Sequence, residues 1–237
     1  MGVAHVGIGD NMRTFKGAIF DVDGTMLDSM HVWKNMENEF LLSLGLTPKP
    51  SFGDDIVVLS KSEILDYTQA EFGVRISSEE ISKGVNKLLE EFYFHKAQLK
   101  EGVIPVLDML YDSGVKMCVA TATDRYLIEP ALVRCGILGY FGKIFTCKEE
   151  RTSKNKPDIF IRAAAYLGTE IKETLVFEDA VYAIKTAKKA GFPVAAVYDA
   201  AAAEHQDEIK QLCDYYYESL TTFKPSTTPP VYGIDRA

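Results

Sequence analysis

Short apolar runs recur along the chain and alternate with segments of helical periodicity. The apolar runs are GAIFDV, VKMCVATA, KIFTC, TLVFED and PVAAVYD, and they begin at residues 17, 115, 143, 174 and 193. The helical segments IEPALVRCGIL, PDIFIRAAAYLG and AVYAIKTAKKAG each carry a glycine suited to end a helix. Strands without polar alternation are typical of parallel sheets that are covered on both faces. The pattern therefore predicts an α/β fold built on a doubly wound, Rossmann-like parallel sheet.

The region between the first two strands follows a different pattern. From about residue 29 to residue 100 we find no strand, only the helical stretches MHVWKNMENEFLLSLG, SKSEILDYTQAEFG and SSEEISKGVNKLLEEFYFHKAQ. The sequence SSEE favours a helix start before Ile81, because serine and acidic residues suit the first turn of a helix. We therefore predict a helical cap that is inserted into the sheet domain.

These patterns divide the chain into four parts. The core domain is expected to comprise residues 16–28 and 101–222, and the helical cap residues 29–100. Residues 1–15 are predicted to be an N-terminal extension. Residues 223–237 are rich in Pro, Ser and Thr and are predicted to form a loosely packed tail.

Composition limits the class of partner. The 237 residues are 47% hydrophobic, which is enough for a sizeable core, and the net charge is -8. An acidic surface repels phosphate backbones, so nucleic acid is not an expected partner. No apolar run is long enough to cross a bilayer and no signal pattern begins the chain, so we expect a cytoplasmic protein without a membrane partner. The cysteines form no CxxC pair and are predicted to be buried free thiols, with a zinc site as the alternative.

Two aspartates follow the first apolar run. Side chains two residues apart in a strand point the same way, so Asp21 and Asp23 should face one direction as that strand ends. Ligands of open α/β sheets bind at the carboxyl ends of the strands. An Asp-Gly pair is also common in hairpin turns, and Asp28 and Ser29 could simply cap the next helix.

Other strand ends carry complementary groups. They are the hydroxyls of Thr121 and Thr123, the carboxylates of Glu178 and Asp179, and the amines of Lys154 and Lys156. If the sheet is parallel, the loops that hold these groups meet at one edge and form a single site.

The segments DVDGTMLDS, Thr121, Lys154 and FEDA, in this order, resemble the four motifs of the haloacid dehalogenase (HAD) superfamily. The chain looks most like its β-phosphoglucomutase-like branch of phosphatases and phosphomutases with a helical cap, over about residues 16–220. Relatives usually read Lys-Pro-x-Pro-Asp where this chain reads Lys-Asn-Lys-Pro-Asp. Counting back from the Pro-Asp pair selects Lys154, and Lys156 remains the second choice.

The resemblance implies a role for each motif. Asp21 would attack phosphorus and form an aspartyl phosphate, and Asp23 would serve as general acid and then as general base. Thr121 would hold a phosphoryl oxygen, and Lys154 would neutralise charge on the nucleophile and the phosphoryl group. True haloacid dehalogenases lack the second aspartate, so Asp23 favours phosphoryl transfer.

The crowded carboxylates require a cation in addition to the lysine. Two like charges ~4 Å apart repel by roughly 4 kcal/mol at an effective dielectric constant near 20, and a bound phosphate adds more such terms. Oxygen ligands in a phosphate site indicate Mg²⁺. The expected ligands are Asp21, Asp179 and the backbone carbonyl of Asp23, with Glu178 binding directly or through water.

The cap should choose the substrate, and four residues are the candidate contacts. They are Trp33, Lys61, Thr123 and Arg125. Trp33 could instead be a packing residue, and Arg125 with Asp124 could cap the following helix. A role for His31 in substrate binding stays open.

The sequence predicts Mg²⁺-dependent hydrolysis of a small phosphorylated metabolite, a monoester similar to a sugar phosphate. It does not define the oligomeric state, for which a monomer is the default expectation. A phosphomutase is the first alternative. It is weakened because Trp33 stands where β-phosphoglucomutases have histidine, and because the cap segment DIVVLSKSE lacks their glycine. A catalytically idle binding protein with the same fold is the second alternative.

Overall fold

The computed structural model describes residues 15–47 and 61–223. Its strands are β1 (Gly17–Phe20), β2 (Lys116–Thr121), β3 (Ile144–Thr146), β4 (Thr174–Glu178), β5 (Val194–Val197) and β6 (Tyr215–Tyr217). Its α-helices are α1 (Met30–Ser43), α2 (Lys61–Phe72), α3 (Ser78–His95), α4 (Val103–Asp112), α5 (Arg125–Arg134), α6 (Asp158–Leu167), α7 (Val181–Lys189) and α8 (Gln206–Leu212). The predicted extension up to residue 14, the tail from residue 224 and the segment 48–60 lie outside the described residues.

The strands form one parallel sheet in the order β3-β2-β1-β4-β5-β6. Helices follow β1 in the chain before β2, which lies on one side of β1, whereas β4 lies on the other side. This order confirms the predicted doubly wound α/β fold. The carboxyl ends of β1, β2 and β4 are therefore neighbours at the point where the order reverses.

Three elements were not predicted, namely α4, α8 and β6. Strand β6 consists of three tyrosines at the edge of the sheet, and two of them are only half-buried, so it has no apolar run. Helix α4 has Pro105 in its first turn, where a missing backbone N–H is tolerated.

Apolar side chains cover both faces of the sheet. Within β1, Ala18 and Phe20 join one cluster, which also includes residues of α4 and α5, and Ile19 joins the cluster formed with α6 and α7. Alternate side chains of a strand point to opposite faces, so both faces of β1 are buried, as the uninterrupted apolar runs predicted.

Between β1 and α4, the described residues form the helices α1, α2 and α3. A small cluster that includes Phe40 and Ile81 joins them. Helix α3 begins with a capping box, in which Ser77 and Glu80 satisfy each other's backbone N–H groups. The end of α3 belongs to the main core, because Tyr93 and Ala97 are fully buried in the cluster on the α4–α5 face of the sheet.

The four cysteines carry free thiols, and Cys118 is fully buried. Burial raises the pKa of the Cys118 thiol to about 12. Within the part of the chain that the structure describes, no cysteine belongs to a group of three or more potential metal ligands. The same residues include no helix that is long and apolar enough to cross a membrane.

Candidate active site

Asp21 is the first residue after β1, at the carboxyl edge of the sheet. Its backbone N–H donates to the carbonyl of Phe177 at 3.0 Å, which continues the pairing of β1 with β4 by one residue. The Asp21 side chain is buried, since the residue is only 7% exposed. The sheet therefore fixes the position of this carboxylate.

Lys154 lies beside Asp21. Its ammonium group donates to Asp21 Oδ1 and, at 2.6 Å, to Glu178 Oε1, and the lysine is 3% exposed. Burial lowers the pKa of Lys154, but the two carboxylates raise it by more, so the ammonium stays charged. Lys156, the second choice at this position, is exposed.

Asp179 completes a buried acidic group with Asp21 and Glu178. One carboxylate oxygen from each residue lies within 4.8 Å of the others. Burial raises the pKa of Asp21 to about 7, against the opposing effect of Lys154. Burial, together with Glu178 and Asp21, raises the pKa of Asp179 well above its usual value. One lysine therefore does not balance this group of carboxylates.

Both oxygens of Glu178 have hydrogen-bond partners within the protein. Oε1 accepts from Lys154, and Oε2 accepts the backbone N–H groups of Asp179 and Ala180 at 2.8 and 2.9 Å. Glu178 thus shapes the loop after β4 and holds the lysine. Asp179 has a different environment, because among the described residues its carboxylate accepts from the Thr25 hydroxyl alone, through Oδ1 at 3.0 Å.

Gly24 allows the loop after β1 to pass close to Asp179. Its φ is +78°, and a Cβ at this position would lie 2.3 Å from Asp179 Oδ2. The loop leads into helix α1 and not into a second strand, so the alternative of a hairpin turn at this Asp-Gly pair is wrong.

Asp23 is half-buried and accepts hydrogen bonds from three hydroxyl groups. Thr123 donates to Oδ2 at 2.6 Å, and Ser29 and Tyr93 donate to Oδ1 at 2.6 and 2.5 Å. Ser29 precedes α1 but makes no side-chain capping bond, so its hydroxyl serves Asp23 and not the helix. Three separate segments therefore hold this one carboxylate.

Thr121 ends β2 and is 1% exposed. Its hydroxyl oxygen accepts the backbone N–H of Thr123 at 3.1 Å. The structure thus brings the predicted groups of Asp21, Asp23, Thr121, Thr123, Lys154, Glu178 and Asp179 to one edge of the sheet.

The other predicted substrate contacts have partners within the protein. Arg125 donates to both oxygens of Glu149, at 2.7 and 2.8 Å, and to the carbonyl of Ile144. Asp124 stands at the N-cap of α5 without a side-chain capping bond and pairs with Lys148. The side chain of Lys61 lies outside the described part of the chain.

Trp33 and His31 both lie on α1. The indole N–H of Trp33 donates to the hydroxyl oxygen of Tyr93 at 2.9 Å, and the half-buried ring packs against the main core. His31 is exposed, and its Nδ1 atom lies 3.6 Å from Asp28 Oδ1. Its ring contacts the ring of Phe92 edge-on.

His31 also lines a cavity of about 480 Å³. The walls of that cavity include Lys100 and Asp199 but not Asp21, Thr121, Lys154 or Asp179. We therefore do not assign this cavity to the reacting phosphate.

Sequence reasoning missed Tyr93 and Thr25. Tyr93 occurs in the aromatic stretch EFYFH of helix α3, where the pattern indicates core packing. Thr25 follows the glycine of the first motif, and nothing in the sequence indicates that its hydroxyl would bind Asp179. Neither contact could be predicted, because the sequence pattern does not show that the hydroxyl of either residue meets a carboxylate of the site.

The chain matches the family model of haloacid dehalogenase-like hydrolases over residues 18–197. Escherichia coli fructose-1-phosphate phosphatase is 23% identical over 183 residues, which cover 75% of this chain and 93% of that protein. A Drosophila melanogaster protein assigned as a pseudouridine-5′-phosphatase is 26% identical over 220 residues, which cover 90% of this chain and 94% of that protein. The structure of a Thermotoga maritima protein assigned as a β-phosphoglucomutase has a TM-score of 0.74 and 19% identity, and it covers 88% of this chain and 97% of that chain.

The family model covers most of the chain, and the chain belongs to the haloacid dehalogenase-like hydrolases. The resemblance predicted from the four motifs is therefore confirmed. The curated relatives support the predicted class of enzyme, a phosphatase.

Proposed function

We propose that this protein hydrolyses a small phosphorylated metabolite, a monoester similar to a sugar phosphate, through an aspartyl-phosphate intermediate and with Mg²⁺. The observation that carries the proposal is the buried Asp21 between Lys154 and Asp179, with Asp23 held nearby by three hydroxyls. A nucleophile, an acid/base group and compensating positive charge are the parts that such a reaction requires.

Asp21 is the nucleophile in this proposal. One carboxylate oxygen attacks phosphorus, an oxygen–phosphorus bond forms, and the bond from phosphorus to the leaving oxygen breaks. Lys154 stays charged beside Asp21 and offsets negative charge on the phosphoryl group. The strand position of Asp21 favours a fixed geometry of attack.

Asp23 is the acid/base group. It gives a proton to the leaving oxygen, and in the second step it takes a proton from the water that attacks the aspartyl phosphate. The second step restores Asp21 and releases inorganic phosphate. Thr121 and Lys154 bind phosphoryl oxygens in both steps.

The donor set fits Mg²⁺. The buried carboxylates of Asp21 and Asp179, whose pKa values are raised by burial and by the like charges beside them, provide hard oxygen ligands and excess negative charge. We assign Asp21, Asp179 and the backbone carbonyl of Asp23 as its ligands. Glu178 uses both oxygens within the protein, which favours contact with the ion through water. When bound, Mg²⁺ would neutralise charge on the carboxylates and the phosphate.

The substrate class rests on the cap and on the relatives. We assign residues 29–100 as a cap that covers the site and excludes bulk water. Two relatives are named for phosphate monoesters of a sugar or a nucleoside, which supports a substrate of this kind. Thr123, Trp33, Arg125 and Lys61 remain our candidate positions for substrate contact.

The proposal is tested by a screen of sugar phosphates and nucleoside monophosphates, read by release of inorganic phosphate with Mg²⁺ and with EDTA. We expect activity with Mg²⁺, its loss in EDTA, and a loss of at least about 10³-fold in Asp21→Asn, because the nucleophile is removed. Equal release by wild type and Asp21→Asn would refute the assignment. Conversion of a hexose 1-phosphate to the 6-phosphate without phosphate release would establish the mutase alternative.

A further inference from the structure

Tyr93 connects the inserted helices to Asp23. It lies near the end of α3, is fully buried, and donates its hydroxyl proton to Asp23 Oδ1 at 2.5 Å. Its ring packs in the main core and contacts Phe92 edge-on. A fully buried hydroxyl that is aimed at a proposed acid/base group needs an explanation beyond packing, because phenylalanine would pack as well.

Trp33 sets the direction of this hydrogen bond. The indole N–H can only donate, and it donates to the hydroxyl oxygen of Tyr93 at 2.9 Å. The Tyr93 oxygen therefore acts as the acceptor toward Trp33, and its own proton points to Asp23. The two hydrogen bonds, from Trp33 to Tyr93 and from Tyr93 to Asp23, therefore run in the same direction.

The two oxygens of Asp23 have different partners. Oδ1 accepts from both Tyr93 and Ser29, whereas the partner of Oδ2 among the described residues is Thr123. The hydroxyls of Ser29 and Thr123 can rotate and either donate or accept, whereas Trp33 directs the Tyr93 proton at Oδ1. Oδ1 is thus held as an acceptor by Tyr93, and Oδ2 is the oxygen whose partner can adapt during a proton transfer.

We propose that Tyr93, oriented by Trp33, is a positioning residue that holds Asp23 in one orientation, with Oδ1 as a fixed acceptor and Oδ2 as the oxygen that exchanges a proton with the substrate. This inference rests on the proposed function. It gives a residue of the cap helix α3, which lies outside the four motifs, a part in the chemistry.

The proposal predicts a dependence on the leaving group. A sugar alkoxide leaves poorly without a proton, so its transfer depends on a well-placed Asp23, whereas 4-nitrophenolate leaves without one. The parameter kcat/KM reports only the steps up to phosphoryl transfer to Asp21, so the later attack of water, which is common to both substrates, does not enter it.

The experiment measures kcat/KM of wild type and Tyr93→Phe for two substrates in the same preparation. One is 4-nitrophenyl phosphate, and the other is the sugar phosphate that wild type hydrolyses fastest in the screen described above. We expect the ratio of sugar phosphate to 4-nitrophenyl phosphate kcat/KM to fall about tenfold, part of the 10²–10⁴-fold that general acid catalysis supplies. This ratio does not depend on the fraction of folded enzyme, so poor folding of the variant cannot produce the result.

Two further variants complete the test. Trp33→Phe keeps a packed ring but removes the N–H donor, and we expect a smaller fall in the same ratio. Tyr217→Phe changes a buried tyrosine of β6 and should leave the ratio unchanged. An equal loss for both substrates in Tyr93→Phe, or no loss, would refute the positioning role while leaving the proposed function intact. A wild type that releases no phosphate from any sugar phosphate would instead refute the proposed function, and this inference with it.

Discussion

At the scale of single residues, Gly24 is a point where the backbone comes very close to the candidate active site. The residue has a φ of +78°, and Asp179 Oδ2 occupies the space that a Cβ would fill. Only glycine combines this conformation with such a close approach. The position of Asp179 therefore depends on the absence of a side chain in the loop that follows the neighbouring strand.

Gly24→Ala should damage catalysis more than stability. The left-handed conformation costs a non-glycine residue about 1–2 kcal/mol, and the methyl group would displace Asp179 as well. A displacement near 1 Å can reduce activity by about 10²-fold, which is the loss of kcat/KM that we expect. The free energy of unfolding, measured in urea, should fall by about 1–3 kcal/mol.

Gly45 provides the matched control. It has a φ of +76°, but a Cβ at this position would have no neighbour within 4 Å among the described residues, so Gly45→Ala carries the same backbone cost without a clash. This variant should lose stability and keep its activity. If Gly24→Ala retains as much activity as Gly45→Ala, the close approach to Asp179 does not matter for function.

At the scale of secondary-structure elements, Lys100 ties three segments together. It lies between α3 and α4, and its ammonium group donates to the carbonyls of Gly24 and Tyr198, at 2.7 and 2.6 Å, and to Asp199 Oδ2 at 3.0 Å. The lysine side chain is 18% exposed and that of Asp199 only 7%. The loop after β1, the chain returning from the cap and the loop after β5 therefore share one cation.

Lys100→Met should destabilise the fold. The substitution leaves the buried Asp199 without this cation, and breaking a buried pair costs about 3–5 kcal/mol, less where water still reaches it. We expect the free energy of unfolding, measured in urea, to fall by about 2–4 kcal/mol. The double variant with Asp199→Asn should recover part of this loss.

A surface pair gives the comparison for Lys100. Lys83 and Glu79 are paired on α3, but both side chains are about three-quarters exposed. Lys83→Met should change the free energy of unfolding little, because exposed pairs are screened by solvent. An equally small effect of Lys100→Met would show that the shared cation does not hold the three segments.

At the scale of the whole molecule, a metal-free site makes stability depend on pH. Burial raises the pKa of Asp21 to about 7, whereas an unfolded aspartate titrates near 3.9. The folded protein therefore binds an extra proton between these values, and its stability falls as the pH rises from about 4 to about 7. Mg²⁺ binds the deprotonated carboxylates and should reverse this loss.

We expect Mg²⁺ to raise the Tm of EDTA-treated protein, and to raise it more at pH 8 than at pH 5.5. Calorimetry or dye-based melting at a series of pH values measures this, and each kcal/mol should correspond to about 2–4 °C for a chain of this size. Asp21→Asn should reduce the dependence on pH. A Tm that does not respond to Mg²⁺, or responds equally at every pH, would contradict the assigned ligands.

The sequence predicted much of this architecture because its strands are apolar runs. A parallel sheet places the ends of those runs at one edge, so Asp21, Thr121, Lys154 and Asp179 could be grouped once the runs had predicted such a sheet and the resemblance had selected Lys154. The tyrosines of β6 have no such pattern and were missed. Tyr93 was missed because a buried aromatic residue in a helix gives the same signal whether its hydroxyl is used or not. The hydrogen bonds from Arg125 to Glu149, which lies 24 residues further along the chain, carried no signal in the sequence, and the proposed contact of Arg125 with substrate stays a prediction.

The three hydroxyl donors to Asp23 come from different parts of the chain, which matters for the design of chimaeras. Thr123 belongs to the core, whereas Ser29 and Tyr93 border or belong to the inserted helices. If the inserted helices choose the substrate, as proposed, replacing them with those of a relative would transfer the specificity of that relative but remove two of the three donors to Asp23. Such hybrids should retain Ser29, Trp33 and Tyr93 from this chain, and exchange only the outer helical surface.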